Sequence, residues 1–302
     1  MKKTNKYSRF LIVIAALFLS ACTVNYQIDW SDDPVQALDR ETADLADVTA
    51  DALALSEQKG KDNILVVFDI DNTIMAMEQG LGADQWYEWQ KELASHDSCN
   101  KQNVGDRFAA QGAIYFASAM RPTQIDAALQ VKTIQEAGVP VIALTSRGQD
   151  YRLQTFRELR RNGFRFYRTA IGPAGGYESA FIPVENGRKS RYEDGVFLTA
   201  GQHKGEMLHA LISKTGTEMP AVIVMADDKQ KNLAAIKETF DALDVPVHAW
   251  RYSGEDDNVE HFNPEKANAE WRAIEASLRQ IQEVLGPDNY DMRSAILNPE
   301  CQ

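Results

Sequence analysis

The sequence has few of the residues that build metal clusters and disulfide frameworks. It contains 3 cysteines and 5 histidines in 302 residues, and none falls at the Cys-x-x-Cys or Cys/His spacing of a zinc site. Basic residues are also in deficit, since 32 Lys and Arg face 44 Asp and Glu and leave a formal net charge of -12. So acidic a chain is poorly suited to nucleic acid or to anionic lipid headgroups. We therefore expect a small-molecule partner and no nucleic acid.

The chain also lacks an apolar run of the roughly 20 residues that a membrane-spanning helix needs. The apolar run at residues 10–19 follows four basic residues, at positions 2, 3, 6 and 9, and precedes small residues. A basic start, a short apolar run and small residues before a cleavage point are typical of a secretory signal peptide. We therefore expect residues 1–21 to be a signal peptide and the mature protein to work outside the cytoplasm.

The end of this segment, Leu19-Ser20-Ala21-Cys22, resembles the lipobox of bacterial lipoproteins. The resemblance implies cleavage before Cys22 and lipidation of its thiol; the alternative is ordinary signal cleavage beside an incidental cysteine. Thr23 rather than Asp follows, which in sorted lipoproteins implies an outer-membrane anchor facing the periplasm. Cys99 and Cys301 would then lie in an oxidising compartment, where a disulfide between them and two separate thiols are equal alternatives.

Two aspartates follow the apolar run 64–68 and are the most informative residues of the chain. Five apolar residues after a polar segment suit a parallel strand buried on both faces, and open α/β sheets bind ligands at the carboxyl ends of such strands. Asp69 and Asp71 are two positions apart, so both carboxylates can approach one reacting centre. Two carboxylates at so short a distance repel each other unless a proton or a cation lies between them. Mg²⁺ suits carboxylate and phosphate oxygens together, whereas an acidic turn at a strand end is the alternative interpretation.

Four motifs in order resemble the phosphatase members of the haloacid dehalogenase (HAD) superfamily. The segment 69–73, Asp-Ile-Asp-Asn-Thr, matches the first motif, and the apolar segment ending in Thr145 matches the second. Lys204 matches the third motif, a lysine at a helix start, and the segment ending in Asp227-Asp228 matches the fourth. Each motif is weak alone, but four in the correct order over about residues 61–250 are specific.

The resemblance implies a role for each matching residue. Asp69 is expected to be the nucleophile that forms an aspartyl-phosphate. Asp71 is expected to be the general acid for the leaving oxygen and then the base that activates water. Hydroxyl and cationic groups are expected to hold the phosphoryl group and to neutralise its charge. The expected phosphate-binding residues are Thr145, Ser146, Arg147 and Lys204.

The resemblance also implies an Mg²⁺ ion beside the nucleophile. Asp69, the backbone carbonyl of Asp71 and the carboxylates of the fourth motif are its expected ligands. Asp227 is preferred over Asp228 as the direct ligand, and Asp228 is either a further ligand or a neighbour that holds one. A solvated acidic loop at a strand end is the alternative for these two residues.

The order of the apolar runs predicts an α/β fold with a Rossmann-like, doubly wound parallel sheet of HAD type. A small cap is expected between the first and second motifs, over the aspartates. The expected division is a signal peptide (1–21), a tether with a helix from 34 to about 58 (22–60), a core (61–77 and 120–286), the cap (78–119) and a tail (287–302).

Within the cap, residues 84–94 are expected to be helical, with Trp86, Trp89 and Leu93 on one face. Core packing of these side chains is preferred to a substrate-stacking platform. Tyr87 and Glu88, on the other side, would then face the active site. Two other charged regions are expected to be mostly solvated: the acidic loop 254–257 and the arginines of a helix at 150–162, namely Arg152, Arg157, Arg160 and Arg161.

We therefore expect a lipid-anchored, Mg²⁺-dependent phosphomonoester hydrolase that acts on a small phosphorylated metabolite in the periplasm. Two alternatives remain on the same residues. One is a phosphotransferase, in which an alcohol replaces water. The other is a phosphate-binding lipoprotein that keeps the fold without turnover.

Overall fold

The computed structural model describes residues 40–97 and 99–285. The predicted signal peptide, the lipidation site Cys22 and the C-terminal tail lie outside these ranges. Cys99 is disulfide-bonded, and Cys301, like Cys22, lies outside the described residues. Among the residues described, no helix combines the length and the apolar character needed to cross a membrane.

Strands and helices alternate along most of the described chain. The strands are β1 (Arg40–Thr42), β2 (Ile64–Phe68), β3 (Met75–Met77), β4 (Met120–Pro122), β5 (Val141–Thr145), β6 (Arg191–Glu193), β7 (Val196–Leu198), β8 (Val222–Asp227) and β9 (Val247–Tyr252). The helices are α1 (Leu45–Lys59), α2 (Asp84–His96), α3 (Arg107–Ala117), α4 (Ala127–Glu136), α5 (Arg152–Arg161), α6 (Lys204–Thr215), α7 (Gln230–Asp241), α8 (Asp256–Glu260) and α9 (Pro264–Leu285).

The main sheet of the described ranges has seven strands in the order β1-β9-β8-β2-β5-β7-β6. Every neighbouring pair is parallel except β6 and β7, which form an antiparallel edge hairpin. From β2 the chain crosses to β5 and β7 on one side and then returns to β8 on the other. This reversal beside β2 is the topological switch point at which open α/β sheets bind ligands. The predicted α/β class with a mainly parallel sheet is confirmed.

The central strands read as continuous apolar runs because helices cover both faces of the sheet. Every residue of β2, β5 and β8 is buried. On one face, Leu65 and Val67 of β2 belong to a core cluster with apolar residues of α6 and α7, such as Leu208 and Ile236. Helices α1 and α4 pack on each other and against β2 and β5. The strands therefore deliver their polar end residues to one edge of the sheet.

The predicted helix from residue 34 to 58 is wrong at its start. Residues 40–42 form β1, which pairs with β9, and α1 begins only at Leu45. Asp44 stops the helix from extending further back: its backbone is extended and its side chain accepts a hydrogen bond from the Ala46 amide, as at an N-cap. From that point the helix has an apolar face, with Leu45, Val48 and Leu55 buried.

Residues 78–119 form an insertion between β3 and β4. These two strands pair antiparallel, with Met77 opposite Met120. The insertion contains α2 and α3. Trp86 and Trp89 of α2 are 0% and 2% exposed and face Trp271 and Phe262, with ring centroids 6.5 and 6.1 Å apart. The preferred interpretation of these tryptophans as core residues is confirmed, and α9 with the segment before it supplies the surface that they pack against.

The acidic loop 254–257 is not the solvated segment that was predicted. Glu255 is buried and pairs with Arg121 through two hydrogen bonds of 2.6 and 2.8 Å. Asp256 begins α8 and binds the guanidinium of Arg251 at 2.5 and 2.7 Å. Both acids have arginine partners brought close by the fold, so they hold the segment before α9 against the core.

Candidate active site

The carboxyl ends of three neighbouring strands converge at the switch point beside β2. Phe68 pairs in register with Ala143 of β5 and with Ala226 of β8. The residues that follow these positions, among them Asp69, Thr145 and Asp227, therefore lie at one edge of the sheet. Asp69, Thr145 and Asp227 are all buried, with exposures of 5%, 1% and 0%. Three of the four predicted motifs thus meet at this edge.

Lys204, the first residue of α6, links two of these strands. Its ammonium Nζ lies 2.6 Å from Asp69 Oδ1 and 2.6 Å from Asp227 Oδ2. The next residue lets α6 approach α7 closely, because a Cβ at Gly205 would lie 2.3 Å from the carbonyl oxygen of Ala235. Burial alone would lower the pKa of Lys204, but the two carboxylates outweigh it and hold the pKa above its ordinary value. Lys204 is therefore a permanent positive charge at the site.

Asp69 is an unusually weak acid for an aspartate. Burial, partly offset by Lys204 and reinforced by the charges of Asp227 and Asp71, raises its pKa to about 7. Asp228 shows the same tendency, since partial burial raises its pKa well above the ordinary value. Lys204 faces several carboxylates, and Lys229, which also acts on Asp228, is shared with Asp84 and Glu88. The group therefore holds more negative than positive charge and is electrostatically prepared for a further cation.

Three carboxylates lie close enough together to share a metal ion. One oxygen each of Asp69, Asp227 and Asp228 lies within 4.8 Å of the others. Asp227 already accepts hydrogen bonds at both oxygens: Oδ1 from the Lys229 amide (2.9 Å) and Asn232 Nδ2 (2.8 Å), and Oδ2 from Lys204. Within residues 40–97 and 99–285, no hydrogen-bond donor contacts the Asp228 carboxylate. A set of hard oxygen ligands of this kind fits Mg²⁺.

Thr73, to which the sequence analysis gave no role of its own, connects the loops after β2 and β8. Its hydroxyl lies 3.4 Å from Asp69 Oδ2 and accepts a hydrogen bond of 2.9 Å from the Asp228 amide. The turn that brings it back passes through Asn72 at φ 57°, a left-handed conformation that asparagine tolerates better than most residues. The closing Asn-Thr of the first motif therefore fixes the distance between the loop after β2 and the acidic loop after β8.

Asp71 binds Arg147. The guanidinium donates to it from Nε at 2.9 Å and from Nη2 at 2.7 Å, and the Tyr115 hydroxyl lies 3.4 Å from the same carboxylate. Burial would raise the pKa of Asp71, but Arg147 outweighs it, so the pKa lies below its ordinary value. Arg147 is itself buried and donates to Thr155 at 2.8 Å. Of the residues expected to bind phosphate, Ser146 is exposed beside it, and the Thr145 hydroxyl accepts from the Arg147 amide at 3.2 Å.

The later arginines of this region are exposed as predicted, with Arg157, Arg160 and Arg161 at 41%, 65% and 50% side-chain exposure, but two of them also bind backbone carbonyl groups. Arg157 donates to the carbonyl oxygens of Tyr115, Phe116 and Ser118 at 2.6 to 2.8 Å. Arg161 donates to the carbonyl of Met120 at 3.0 Å. These contacts tie α5 to the end of the insertion, where α3 and β4 leave carbonyl groups without helix partners.

Lys229 joins the acidic loop to the insertion and was missed by the sequence analysis. Its ammonium lies 2.5 Å from Asp84 and 3.3 Å from Glu88, both on α2. Burial would lower the pKa of Lys229, but the surrounding carboxylates, Asp84 first, raise it well above its ordinary value. The only local signal was a lysine directly after two aspartates. The predicted orientation of Glu88 towards the active site agrees with this contact.

Comparison with known proteins identifies a family but does not identify an activity. A family model described as "Protein of unknown function (DUF2608)" matches residues 41–283. No curated protein and no solved structure matches the chain.

Proposed function

We propose that this chain, which belongs to the DUF2608 family, is an Mg²⁺-dependent phosphomonoester hydrolase of HAD type that acts through an aspartyl-phosphate. The observation that carries the proposal is the position of Lys204, 2.6 Å from both Asp69 and Asp227. A lysine between a strand-end carboxylate and a second acidic loop is the charge arrangement that a carboxylate nucleophile needs in order to approach a dianionic phosphate. A binding protein would gain nothing from holding a carboxylate against an anionic ligand.

In the first step, Asp69 attacks phosphorus and the bond from phosphorus to the ester oxygen breaks. Asp71, two residues away, is assigned the proton transfer to the departing oxygen; because Arg147 lowers its pKa, the protonated form that donates is the minor one at neutral pH. Lys204 offsets the negative charge that collects on the nucleophile and the phosphoryl oxygens. Thr145, Ser146 and the amides after β5 supply hydrogen bonds to those oxygens.

In the second step, Asp71 accepts a proton from water, the water oxygen attacks phosphorus, and the acyl-phosphate bond to Asp69 breaks. The products are inorganic phosphate and the regenerated Asp69 carboxylate. Arg147 holds Asp71 by two hydrogen bonds throughout, so its carboxylate keeps one orientation for both proton transfers. Splitting one difficult displacement into two easier ones is the advantage of a covalent intermediate.

Asp69 and Asp228 are the residues that we assign to the metal, with the backbone carbonyl of Asp71 as a further ligand. The sequence favoured Asp227 over Asp228. We now assign Asp227 to orienting Lys204, because both of its oxygens already accept hydrogen bonds. Asp228, without a donor in the described ranges, is the better candidate for a metal. When bound, Mg²⁺ would supply positive charge to the phosphoryl oxygens and the nucleophile.

The proposal is tested by assaying the purified protein on a panel of phosphate monoesters with Mg²⁺ and with excess EDTA. We expect hydrolysis that depends on Mg²⁺ and that falls by at least about 10³-fold in Asp69→Asn, a loss comparable with other nucleophile removals. An unchanged rate in Asp69→Asn would show that Asp69 is not the nucleophile. If protein that has been freed of metal hydrolyses the esters at an unchanged rate in EDTA, the reaction does not require a metal ion.

We also propose that the enzyme is anchored by lipid at Cys22 and works in the periplasm. The support is the lipobox-like segment 19–22 after a signal-peptide pattern. Mass spectrometry of the mature N-terminal peptide should find a diacylglyceryl cysteine, and Cys22→Ala should release the protein from membranes. An unmodified Cys22 in the membrane-free fraction of the wild type contradicts this part of the proposal.

A further inference from the structure

Aromatic side chains of the insertion and of the loop before α5 extend outward from Asp71. The first is Tyr115, whose hydroxyl lies 3.4 Å from Asp71 Oδ1 and whose ring lies under the Arg147 guanidinium at 4.6 Å. Tyr151 meets this ring edge-on at 5.6 Å. Because Asp71 serves the leaving oxygen in the proposed mechanism, residues next to it lie on the leaving-group side of the phosphate.

The series continues onto α2 and α3. The Tyr151 hydroxyl donates to the Phe108 carbonyl at 2.8 Å, and the Phe108 ring lies 5.4 Å from that of Tyr87. Phe108 is 54% exposed, and Tyr87 and Tyr151 are half-buried. We call Tyr87, Phe108, Tyr115 and Tyr151 the aromatic wall. Trp86 and Trp89 of the same α2 are instead buried against Trp271 and Phe262.

A cation stands at the outer end of the aromatic wall. The Arg107 guanidinium lies 5.0 Å from the Tyr87 ring centroid and 5.2 Å from that of Phe108. Its Nε is buried and has no hydrogen-bond partner, and no acid in the part of the chain that the structure describes lies within ion-pair distance of it. Arg121 and Arg251, in contrast, each bind a carboxylate through two hydrogen bonds. In a chain with many more acids than bases, an arginine without an acid is available to an anionic ligand.

From these contacts we propose that the substrate is the phosphate ester of an alcohol with a planar aromatic or heteroaromatic group, and that this group carries a negative charge at its far end. The inference rests on the proposed hydrolase function and names its substrate class. The ring would pack on Tyr87 and Phe108, since aromatic pairs gain from offset or edge contacts beyond simple burial. The distal anion would bind Arg107.

The test uses three esters whose leaving oxygens are chemically alike: benzyl phosphate, cyclohexylmethyl phosphate and 4-carboxybenzyl phosphate. For the wild type with Mg²⁺ we expect kcat/KM to be about tenfold higher for benzyl than for cyclohexylmethyl phosphate, because only the former is planar. A further gain is expected for 4-carboxybenzyl phosphate. Phe108→Ala should lower kcat/KM for the two aromatic esters by about tenfold and leave the cyclohexylmethyl ester within about twofold.

Matched variants separate the effect of the aromatic wall on the hydrolysis rates from general effects of substitution. Arg107→Met should remove the advantage of 4-carboxybenzyl over benzyl phosphate and leave the benzyl rate nearly unchanged. Leu129→Ala on α4, an apolar residue that is also 54% exposed, should change none of the three rates. Phe108→Leu, which keeps apolar bulk and loses the ring, should behave like Phe108→Ala if stacking is the cause.

The outcomes distinguish the proposed substrate class from the proposed hydrolase function. Hydrolysis of all three esters without preference, or equal slowing of all three by Phe108→Ala, overturns the aromatic substrate class and leaves the hydrolase function standing. Failure of the wild type to hydrolyse any phosphate ester overturns the hydrolase function and this inference with it. Preference for the charged aromatic ester that Arg107→Met abolishes supports both.

Discussion

The Arg147 guanidinium donates two hydrogen bonds, of 2.9 and 2.7 Å, to the carboxylate of Asp71. The pair joins the first motif to the second across 76 positions of sequence. A fork-shaped pairing of this kind fixes the plane of the carboxylate as well as its charge. Arg147 therefore acts on the proposed acid and base of the reaction, as a positioning residue.

Replacement of Arg147 by glutamine should change the pH dependence of the enzyme. Arg147 holds the pKa of Asp71 below its ordinary value, so its removal should raise that pKa and move the corresponding limb of the kcat profile to higher pH. We expect kcat to fall by about 10- to 100-fold, with a smaller change in KM. A rise in KM with an unmoved pH profile would instead indicate that Arg147 binds the substrate phosphate directly.

Replacement of Lys204 by methionine should abolish most activity. The variant leaves Asp69 and Asp227 facing each other without their shared cation, and we expect kcat to fall by about 10²- to 10³-fold, as for other preorganised charges. Lys204→Arg should not restore it, because the planar guanidinium cannot occupy the position of a compact ammonium between two buried oxygens. Lys237→Met on α7 is the matched control, since that lysine pairs with Asp241 at the surface. Full activity in Lys204→Met contradicts the assigned role.

Magnesium affinity should rise with pH. The pKa of Asp69 is raised to about 7 without metal, so below that pH a bound ion must displace a proton from its ligand. The apparent Kd should therefore increase as the pH falls from 8 to 6, by at most about tenfold per pH unit for each proton that is displaced. Calorimetric titrations in two buffers of different ionisation enthalpy measure the proton release. Asp69→Asn should show a flatter dependence, and an affinity of the wild type that is the same at pH 6 and pH 8 would rule out this linkage.

Glu158 should matter for stability far more than an exposed glutamate does. It is 2% exposed, accepts from the Met120 amide at 2.8 Å and pairs with Arg157 and Arg161. Glu158→Ala leaves a buried amide without a partner, and we expect a loss of about 1–3 kcal/mol of unfolding free energy. Glu136→Ala, whose side chain is 61% exposed, should cost about 0.5 kcal/mol or less. Urea denaturation compares the two, and equal losses contradict the assigned contacts.

The elements that the sequence predicted best are those with strong local patterns. Strands β2, β5 and β8 are short apolar runs with polar ends, and burial on both faces leaves no other arrangement for such runs. Helix α9 begins at Pro264, a residue favoured at the first position of a helix. Gly138 and Gly163, which follow α4 and α5, have φ of 80° and 88°, a left-handed conformation common at helix ends.

The elements that were missed depend on partners far away in the sequence. Three residues form β1 only because β9 is available to pair with them. Lys229 is an unremarkable surface lysine by sequence, and only the position of α2 gives it Asp84. Ion pairs of this kind have no periodicity along the chain, so a pattern-based prediction reads them as solvated charge.

The claim on which the account depends is that Asp69 becomes phosphorylated. The most direct measurement uses the Asp71→Asn variant with Mg²⁺ and 4-nitrophenyl phosphate, whose leaving group needs no proton, so that the intermediate forms and is hydrolysed slowly. The reaction is quenched in acid and treated with borohydride, which converts an aspartyl-phosphate to homoserine, and the peptide around residue 69 is sequenced by mass spectrometry. The account predicts homoserine at position 69, and none when Mg²⁺ or the ester is left out. An unmodified Asp69 in a variant that still releases 4-nitrophenol would contradict it.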